Sequence, residues 1–374
     1  MNKLSGNVSR AGQGAPAANT VPRHGKAPGP RRRRRLVRAI ALFTGVLTLA
    51  LAAMAAAVLI RMQGNITTAT LHPGGEAVIT SSEGLNILVL GSDARKLREP
   101  GYGEDDGTRR SDSMMLVHLA EHDARIDAVQ IPRDTLMRLP SCAAAENSLP
   151  GGEGMINAAL NHGPACSVSA VETLTGVSID HFLLVDFDGF SDVIDALGGV
   201  PVRLPAPLRD SSAQLDLPAG EQLLNGRQAL AWARVRHAIG DGSDIARLGH
   251  QQEVIRAIAD RVRGENLLTR PDRLYGFLDA VTKSLTVDRD LGSVTALASL
   301  GTRISHVAGK DVTVLTMPWQ PAPQDPNRVV PSPEATAVFG AMARDQPLTA
   351  HGAGAPVPSG RPAQSGPARD HRAS

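Results

Sequence analysis

Six arginines occupy positions 31–38, and the 22 residues that follow, 39–60, carry no charge at all. An apolar run of that length is enough for one helix to cross the hydrocarbon core of a bilayer. Flanking Lys and Arg residues keep their side of such a helix in the cytoplasm. Residues 1–38 contain ten basic and no acidic residues, whereas Arg61 stands alone beyond the run. The sequence therefore predicts a single-pass membrane protein, with its N-terminus inside and everything past Arg61 outside the cell. A cleaved signal peptide has an apolar core of only about 7–15 residues, so the run reads as a retained signal-anchor. Nucleic-acid binding by the arginines is disfavoured by the membrane stop directly behind them.

The whole chain carries +2 and its first 38 residues +10, so the remainder carries −8. The basic balance describes a tail, and the folded part is mildly acidic. Five segments follow: a disordered basic cytoplasmic tail (1–38), the transmembrane helix (39–60), a connector (61–83), an external domain (84–346) and a flexible Pro/Gly/Ala-rich tail (347–374). The two cysteines, Cys142 and Cys166, both fall outside the membrane. An oxidising exterior favours a disulfide between them over two thiols. On the chain-entropy account that bond stabilises by about 3 kcal/mol.

Within the external region, residues 85–90 read as a buried strand ending in Gly91-Ser92-Asp93. Further strands are expected at 114–119, 126–131, 179–185, 200–204 and 311–317. Helical patterns occupy 154–161, 168–174, a stretch ending at Gly198-Gly199, 226–233, 244–259, 271–284 and 290–304. Strands alternating with helices predict an α/β domain, α/β/α layered, whose central mixed sheet is covered by helices. Ligands in such sheets gather beyond the carboxyl ends of strands, where Asp93 sits.

Four short segments hold the polar residues of interest. They are Asp93-Ala94-Arg95, Arg110-Ser111-Asp112, Pro132-Arg133-Asp134, and Arg234-Val235-Arg236 ahead of a helix bearing Asp244, Arg247 and Gln251. In extended chain, residues two apart point the same way. On the helix, Asp244, Arg247 and Gln251 fall within about 60° of one another. They lie at its N-terminal end, where the dipole favours anions. Six arginines and a few carboxylates at element ends suit a multiply charged anion with a divalent metal. Pyrophosphate fits: arginine forks bind phosphate oxygens bidentately, and Mg²⁺ takes one or two carboxylates and completes its shell with phosphate and water.

Taken in order, several blocks resemble the LytR-CpsA-Psr family. They are Asn86-Ile87-Leu88-Val89-Leu90-Gly91-Ser92-Asp93-Ala94-Arg95, Arg110-Ser111-Asp112-Ser113, Ile131-Pro132-Arg133-Asp134, Ile156-Asn157-Ala158-Ala159, Leu197-Gly198-Gly199-Val200, Arg234-Val235-Arg236 and Asp244-Ile245-Ala246-Arg247. The resemblance covers about residues 84–262. It implies a phosphotransferase of the Gram-positive envelope that moves a glycopolymer, such as teichoic acid, capsule or arabinogalactan, from a polyprenyl-pyrophosphate carrier onto peptidoglycan. A hydrolase of the same lipid-linked substrate, and a non-catalytic binding or regulatory module of wall assembly, are the alternative readings.

Carried across by the resemblance, Asp93 and Asp112 hold Mg²⁺, or Mn²⁺ in its place. Arg95, Arg133, Arg234, Arg236, Arg247 and Gln251 grip the pyrophosphate, Arg110 supports Asp112 or the phosphate, and Asp244 serves as base or orients arginines, with Asp134 a second candidate base. The catalytic group is thus Arg133, Asp244 and Arg110. His250 stands where the family more often has Arg, and Ser113 replaces Thr. The carrier's lipid needs an apolar slot, for which 182–185 and 190–197 are candidates. Only 3% of residues are aromatic, with Trp232 and Trp319 the only tryptophans, so sugar stacking has little surface to use.

Overall fold

The computed structural model describes residues 30–72, 84–93, 109–143, 148–204, 206–210, 215–234, parts of 251–261, and 271–348. The first helix, α1 (Pro30–Asn65), begins one residue ahead of the arginine run and includes a stretch long and apolar enough to cross a membrane. Residues 31–38, expected in a disordered tail, are thus helical; 1–29 lie outside the described residues. The chain divides into two compact units, one ending at Ala57 and one starting at Val58.

The second unit is built on a seven-stranded mixed sheet. In chain order its strands are β1 (Thr67–Ala69), β2 (Leu85–Ser92), β3 (Ser111–Leu119), β4 (Ile126–Ile131), β7 (His181–Asp186), β12 (Leu285–Asp288) and β13 (Val312–Thr316). In space they run β1-β12-β7-β2-β3-β4-β13. β2 lies parallel to β7 and antiparallel to β3, which is antiparallel to β4. The outer pairs β1–β12 and β13–β4 are parallel, and β12 opposes β7.

Alternation along the strands separates two apolar layers. Leu88, Leu90, Met114, Leu116, Val129, Ile131 and Phe182 belong to one core, which takes in side chains of α2 (Pro164–Thr175) and α7 (Pro333–Ala343). Ile87, Val287 and Leu300 face the other way, with Val89, Val117 and Leu183 packed against them and α6 (Val294–His306) supplying the cover. The expected α/β architecture with a central mixed sheet is what the chain forms. A smaller third core joins α3 (Phe187–Ala196) and α4 (Gly226–Arg234) to two hairpins, β8 (Val200–Leu204) with β11 (Gly220–Leu224) and β9 (Leu208–Asp210) with β10 (Leu215–Leu217). The remaining elements are α5 (Pro271–Ser284) and the hairpins β5 (Leu136–Leu139) with β6 (Gly152–Met155) and β14 (Trp319–Ala322) with β15 (Asp325–Pro331).

Several local expectations change. The start of the supposed connector is part of the domain: Met62 is buried, Asn65 bonds to Asp279 and Thr282 of α5, and β1 pairs with β12. Residues 154–161 form the end of β6 and a 3-10 turn (Ile156–His162) rather than an α-helix. β12, β14, β15 and α7 were not foreseen. Leu285–Asp288 is four residues long, too short to declare a period, and takes its strand geometry from two neighbours in the sheet. The domain also runs past 346, because Leu348 is buried in the first core. Cys142 and Cys166 are joined, with sulfurs 2.00 Å apart and Cα atoms 5.6 Å apart.

Candidate active site

β2 and β3 meet at their site-facing ends with one residue too many. Gly91 pairs with Ser113 and Ser92 with Ser111, which leaves Asp112 unopposed in a bulge. A bulge bends the strand locally and re-aims the extra side chain. The Ser111 hydroxyl donates to the Ser113 carbonyl at 2.8 Å and holds that distortion. Beyond it the strands close on each other: the Asp93 N–H donates to the Arg110 carbonyl at 3.2 Å, and the Arg110 N–H donates to Asp93 Oδ1 at 2.8 Å. The Arg109 N–H donates to Asn161 Oδ1 at 2.8 Å, tying this closure to the 3-10 turn.

Two carboxylates thus face one end of the sheet. Burial pushes the Asp93 carboxyl above the usual aspartate range, and the neighbouring charge of Asp112 adds to the rise against the opposing Arg110 N–H. A site that raises an acid in this way gains by receiving a cation.

The cation the chain itself supplies is Arg133. After β4, Pro132 to Thr135 make a tight turn in which the Thr135 N–H and hydroxyl both donate to the Pro132 carbonyl, at 3.1 and 2.6 Å. Neighbours pin the turn: the Ile156 N–H donates to the Thr135 carbonyl at 2.9 Å and the Val329 N–H to the Asp134 carbonyl at 3.4 Å. From this turn Arg133 Nη1 reaches Asp112 Oδ1 at 2.5 Å, and its Nε lies 3.8 Å from Asp134 Oδ2. On the far side of Asp134, Arg328 Nη1 stands 3.1 Å from Oδ1. Asp112, Arg133 and Asp134 are each at least four-fifths buried. That depth strengthens their mutual attraction relative to water.

Arg234, at the end of α4, is brought toward the same end of the sheet by stacking. Its guanidinium carbon lies 4.9 Å from the centroid of the Phe187 ring, a cation–π contact. Phe187 directly follows Asp186, the β7 partner of Ser92, so the next residue along each strand is Phe187 on one side and Asp93 on the other.

Gln251 has a structural task. Its side-chain carbonyl accepts from Gln130 Nε2 at 2.6 Å, with both residues buried. The bond fastens the helical residues around Gln251 to β4. Arg95, Arg236, Asp244 and Arg247 lie outside the described residues. The side chain of Arg110 is exposed, and its backbone rather than its guanidinium makes the bonds to Asp93.

The apolar slot is partly corrected. Phe182, Ile194 and Leu197 are buried in the cores, while Leu183, Leu184, Val185 and Phe190 are only partly covered.

Among the described residues, no group of three or more His, Cys, Asp or Glu side chains gathers to hold a metal. The donor set is a pair, Asp93 and Asp112. That pair fits Mg²⁺, which uses one or two carboxylates and fills its shell with phosphate and water.

Sequence reasoning missed Arg328, Phe187 and Gln130. Arg328 follows Asp134 by nearly two hundred residues and belongs to no charged motif. Phe187 looks like any residue at a strand end.

The sequence profile of the LytR_cpsA_psr family matches residues 57–342. The cell wall biosynthesis protein LcpA of Corynebacterium glutamicum is 28% identical over 316 residues, covering 75% of this chain and 59% of that protein. The polyisoprenyl-teichoic acid–peptidoglycan teichoic acid transferase TagV of Bacillus subtilis is 31% identical over 205 residues, 53% of this chain and 49% of its own length. The chain thus spans about half to three-fifths of the length of these relatives. Among solved structures, a LytR-Csp2A-Psr enzyme from Actinomyces oris superposes with a TM-score of 0.60 at 22% identity, covering 75% of this chain and 96% of that one. At that identity the likeness speaks for the fold.

Proposed function

Because this chain belongs to the LytR_cpsA_psr family, we propose that it is a phosphotransferase of cell-wall biogenesis. It moves a glycopolymer from a polyprenyl-pyrophosphate carrier to a peptidoglycan hydroxyl and leaves a phosphodiester link. The observation that carries this reading is the pairing of Arg133 with Asp112 beside Asp93, at the carboxyl end of β2. One guanidinium and two carboxylates meet in a half-sheltered place, as a metal–diphosphate headgroup requires.

In the reaction, the acceptor oxygen attacks the phosphorus that bears the glycopolymer. The bridging P–O bond breaks, polyprenyl phosphate leaves, and the acceptor's proton passes to a carboxylate. Of the two candidate bases, Asp134 is engaged by Arg133 and Arg328, and the reading assigns the proton to Asp244. Phosphoryl transfer needs in-line placement and charge neutralisation more than covalent help from the protein. Arg133, Arg234, Arg95, Arg236 and Arg247 supply the neutralisation. Asp93 and Asp112 would hold Mg²⁺ or Mn²⁺, which when bound screens the diphosphate oxygens.

The partly covered Leu184, Val185 and Phe190 are the apolar residues left for a lipid tail. The membrane-length α1 supports a single-pass protein with its catalytic domain on the outer face, close to a lipid donor at raised effective concentration. The test is to incubate the purified full chain with a synthetic polyprenyl-pyrophosphate glycan, peptidoglycan and Mg²⁺, and to score both transfer and hydrolysis. Glycan attached to peptidoglycan, lost on chelation, is the expected result. Free glycan phosphate alone would replace the transferase reading with a hydrolase.

A further inference from the structure

Arg133 is gripped from two sides, and only one side comes from its own neighbourhood in sequence. Its Nη1 meets Asp112, while its Nε faces Asp134, whose other oxygen is held by Arg328 on β15. Backbone bonds place that arginine firmly. The Val329 N–H donates to the Asp134 carbonyl, and Thr135 forms a parallel bridge with Val329. Val329 is buried, and Arg328 Nε also lies 3.7 Å from Asp325 Oδ2 at the start of the same strand.

Charge counting shows what this contact accomplishes. Of the carboxylates at this end of the sheet, Asp112 and Asp134 both pair with Arg133. Without Arg328 at its other oxygen, Asp134 would pull harder on Arg133 and offset charge meant for an incoming anion. Arg328 takes up Asp134 from behind, so Arg133 is oriented by that carboxylate without being spent on it. Partners behind a functional group fix its direction and strength in the same way around metal ligands, and a site loose by about an ångström loses much of its rate.

We propose that Arg328 is a positioning residue: acting through Asp134, it holds Arg133 in the direction needed to grip the diphosphate of the donor. The C-terminal hairpin β14–β15 is then a structural part of the active site. The proposal rests on the diphosphate reading given above.

The test uses the full chain in detergent, with inorganic pyrophosphate plus Mg²⁺ as the binding probe and glycan transfer as the second readout. Arg328→Ala should weaken pyrophosphate binding and slow transfer, each by about tenfold, with little change in thermal midpoint. Arg328→Lys, which keeps the charge and loses the fork, should recover most of the binding. In an Asp134→Asn chain, Arg328→Ala should add almost nothing, because the two act as a unit. Arg328→Ala with unaltered binding and turnover, or losses that simply multiply in the double variant, would overturn the positioning role. So would a loss that tracks the thermal midpoint and is not recovered by lysine. Arg133→Ala separates this from the functional reading. If that chain binds pyrophosphate normally, the diphosphate site itself is wrong and the proposal falls with it. If Arg133→Ala abolishes binding while Arg328→Ala does nothing, only the positioning role is lost.

Discussion

β2 carries a polar cluster at each end, and the two clusters are built on opposite terms. At the amino end, Asn86 Oδ1 accepts from His118 Nδ1 at 2.7 Å, and the Asn86 backbone N–H donates to Asp180 Oδ2 at 2.7 Å. His118 Nε2 and Arg125 Nη2 both meet Asp345 Oδ1, at 2.9 and 2.7 Å. His181 faces Asp288 at 3.1 Å, and His72 faces Glu172 at 3.2 Å. Each carboxylate there has a dedicated partner, and His118, Asp127 and Asp288 are almost wholly buried. At the carboxyl end, the charge of Asp112 adds to the burial that raises Asp93, and Arg133 is shared between Asp112 and Asp134.

One end is therefore closed on itself, and the other gathers two carboxylates around a shared arginine. Two carboxylates, one from each end, show opposite pKa directions. Burial alone would raise Asp345, yet bonds from His118 and the Glu121 N–H, with the charge of Arg125, hold it below the usual range. Asp93 ends above that range. Burial beside a second carboxylate is what raises Asp93. The low pKa of Asp345 belongs to a structural clasp.

The contrast breaks most readily at the site. Arg133→Ala should cut transfer by about 1,000-fold while hardly moving the thermal midpoint; a stable variant with normal turnover ends the distinction. At the other end the effects should reverse. Asp345→Ala strands His118 and Arg125, and should cost about 3 kcal/mol of stability in chemical denaturation with transfer per folded molecule unchanged.

A smaller effect concerns pH. Burial works to lower His181, but the hydrogen bond and charge of Asp288 outweigh it and raise His181 above the usual histidine range. Burial works to raise Asp288, but His181 and the N–H groups of Leu291 and Phe182 bring it below the usual aspartate range. The histidine's contribution is fully present below its ordinary range and is lost as pH rises through the raised value. The aspartate's is present above its ordinary range and is lost as pH falls through the lowered one. His181→Gln should therefore cost about 1–2 kcal/mol between those limits and little at alkaline pH, as thermal melts across the pH range would show.

The smallest effect sharpens the comparison by its sign. A raised Asp93 is a stability cost that builds as pH rises through the interval between its ordinary and raised values. Asp93→Asn should then stabilise the fold, by less than about 1 kcal/mol given its exposure, while abolishing Mg²⁺-dependent transfer. Destabilisation by that change would show that Asp93 is structural after all.

Much of the molecule was readable without coordinates. The uncharged run at 39–60, the apolar strands at 85–90 and 126–131, and the glycine stop at 198–199 announce themselves because their signals are local: hydrophobic period, charge and backbone freedom. Asp93, Asp112 and Arg133 were legible for a similar reason, as polar residues at the ends of strongly apolar segments. What lay hidden depends on contacts between distant stretches. The bulge that re-aims Asp112 is a register between two strands, and neither strand alone encodes it. The bond that fastens Gln251 to Gln130 of β4 joins segments far apart in sequence. Arg328 had no neighbour in sequence to mark it.

Residue order by itself thus determined which stretches are apolar, where strands end and which charges stand at those ends. Tertiary structure decided which of those charges meet one another and which partners they take. The physical reason is that ion pairing and burial depend on distance in space, and two of the deciding pairs, Gln130–Gln251 and Asp134–Arg328, lie more than a hundred residues apart in the chain.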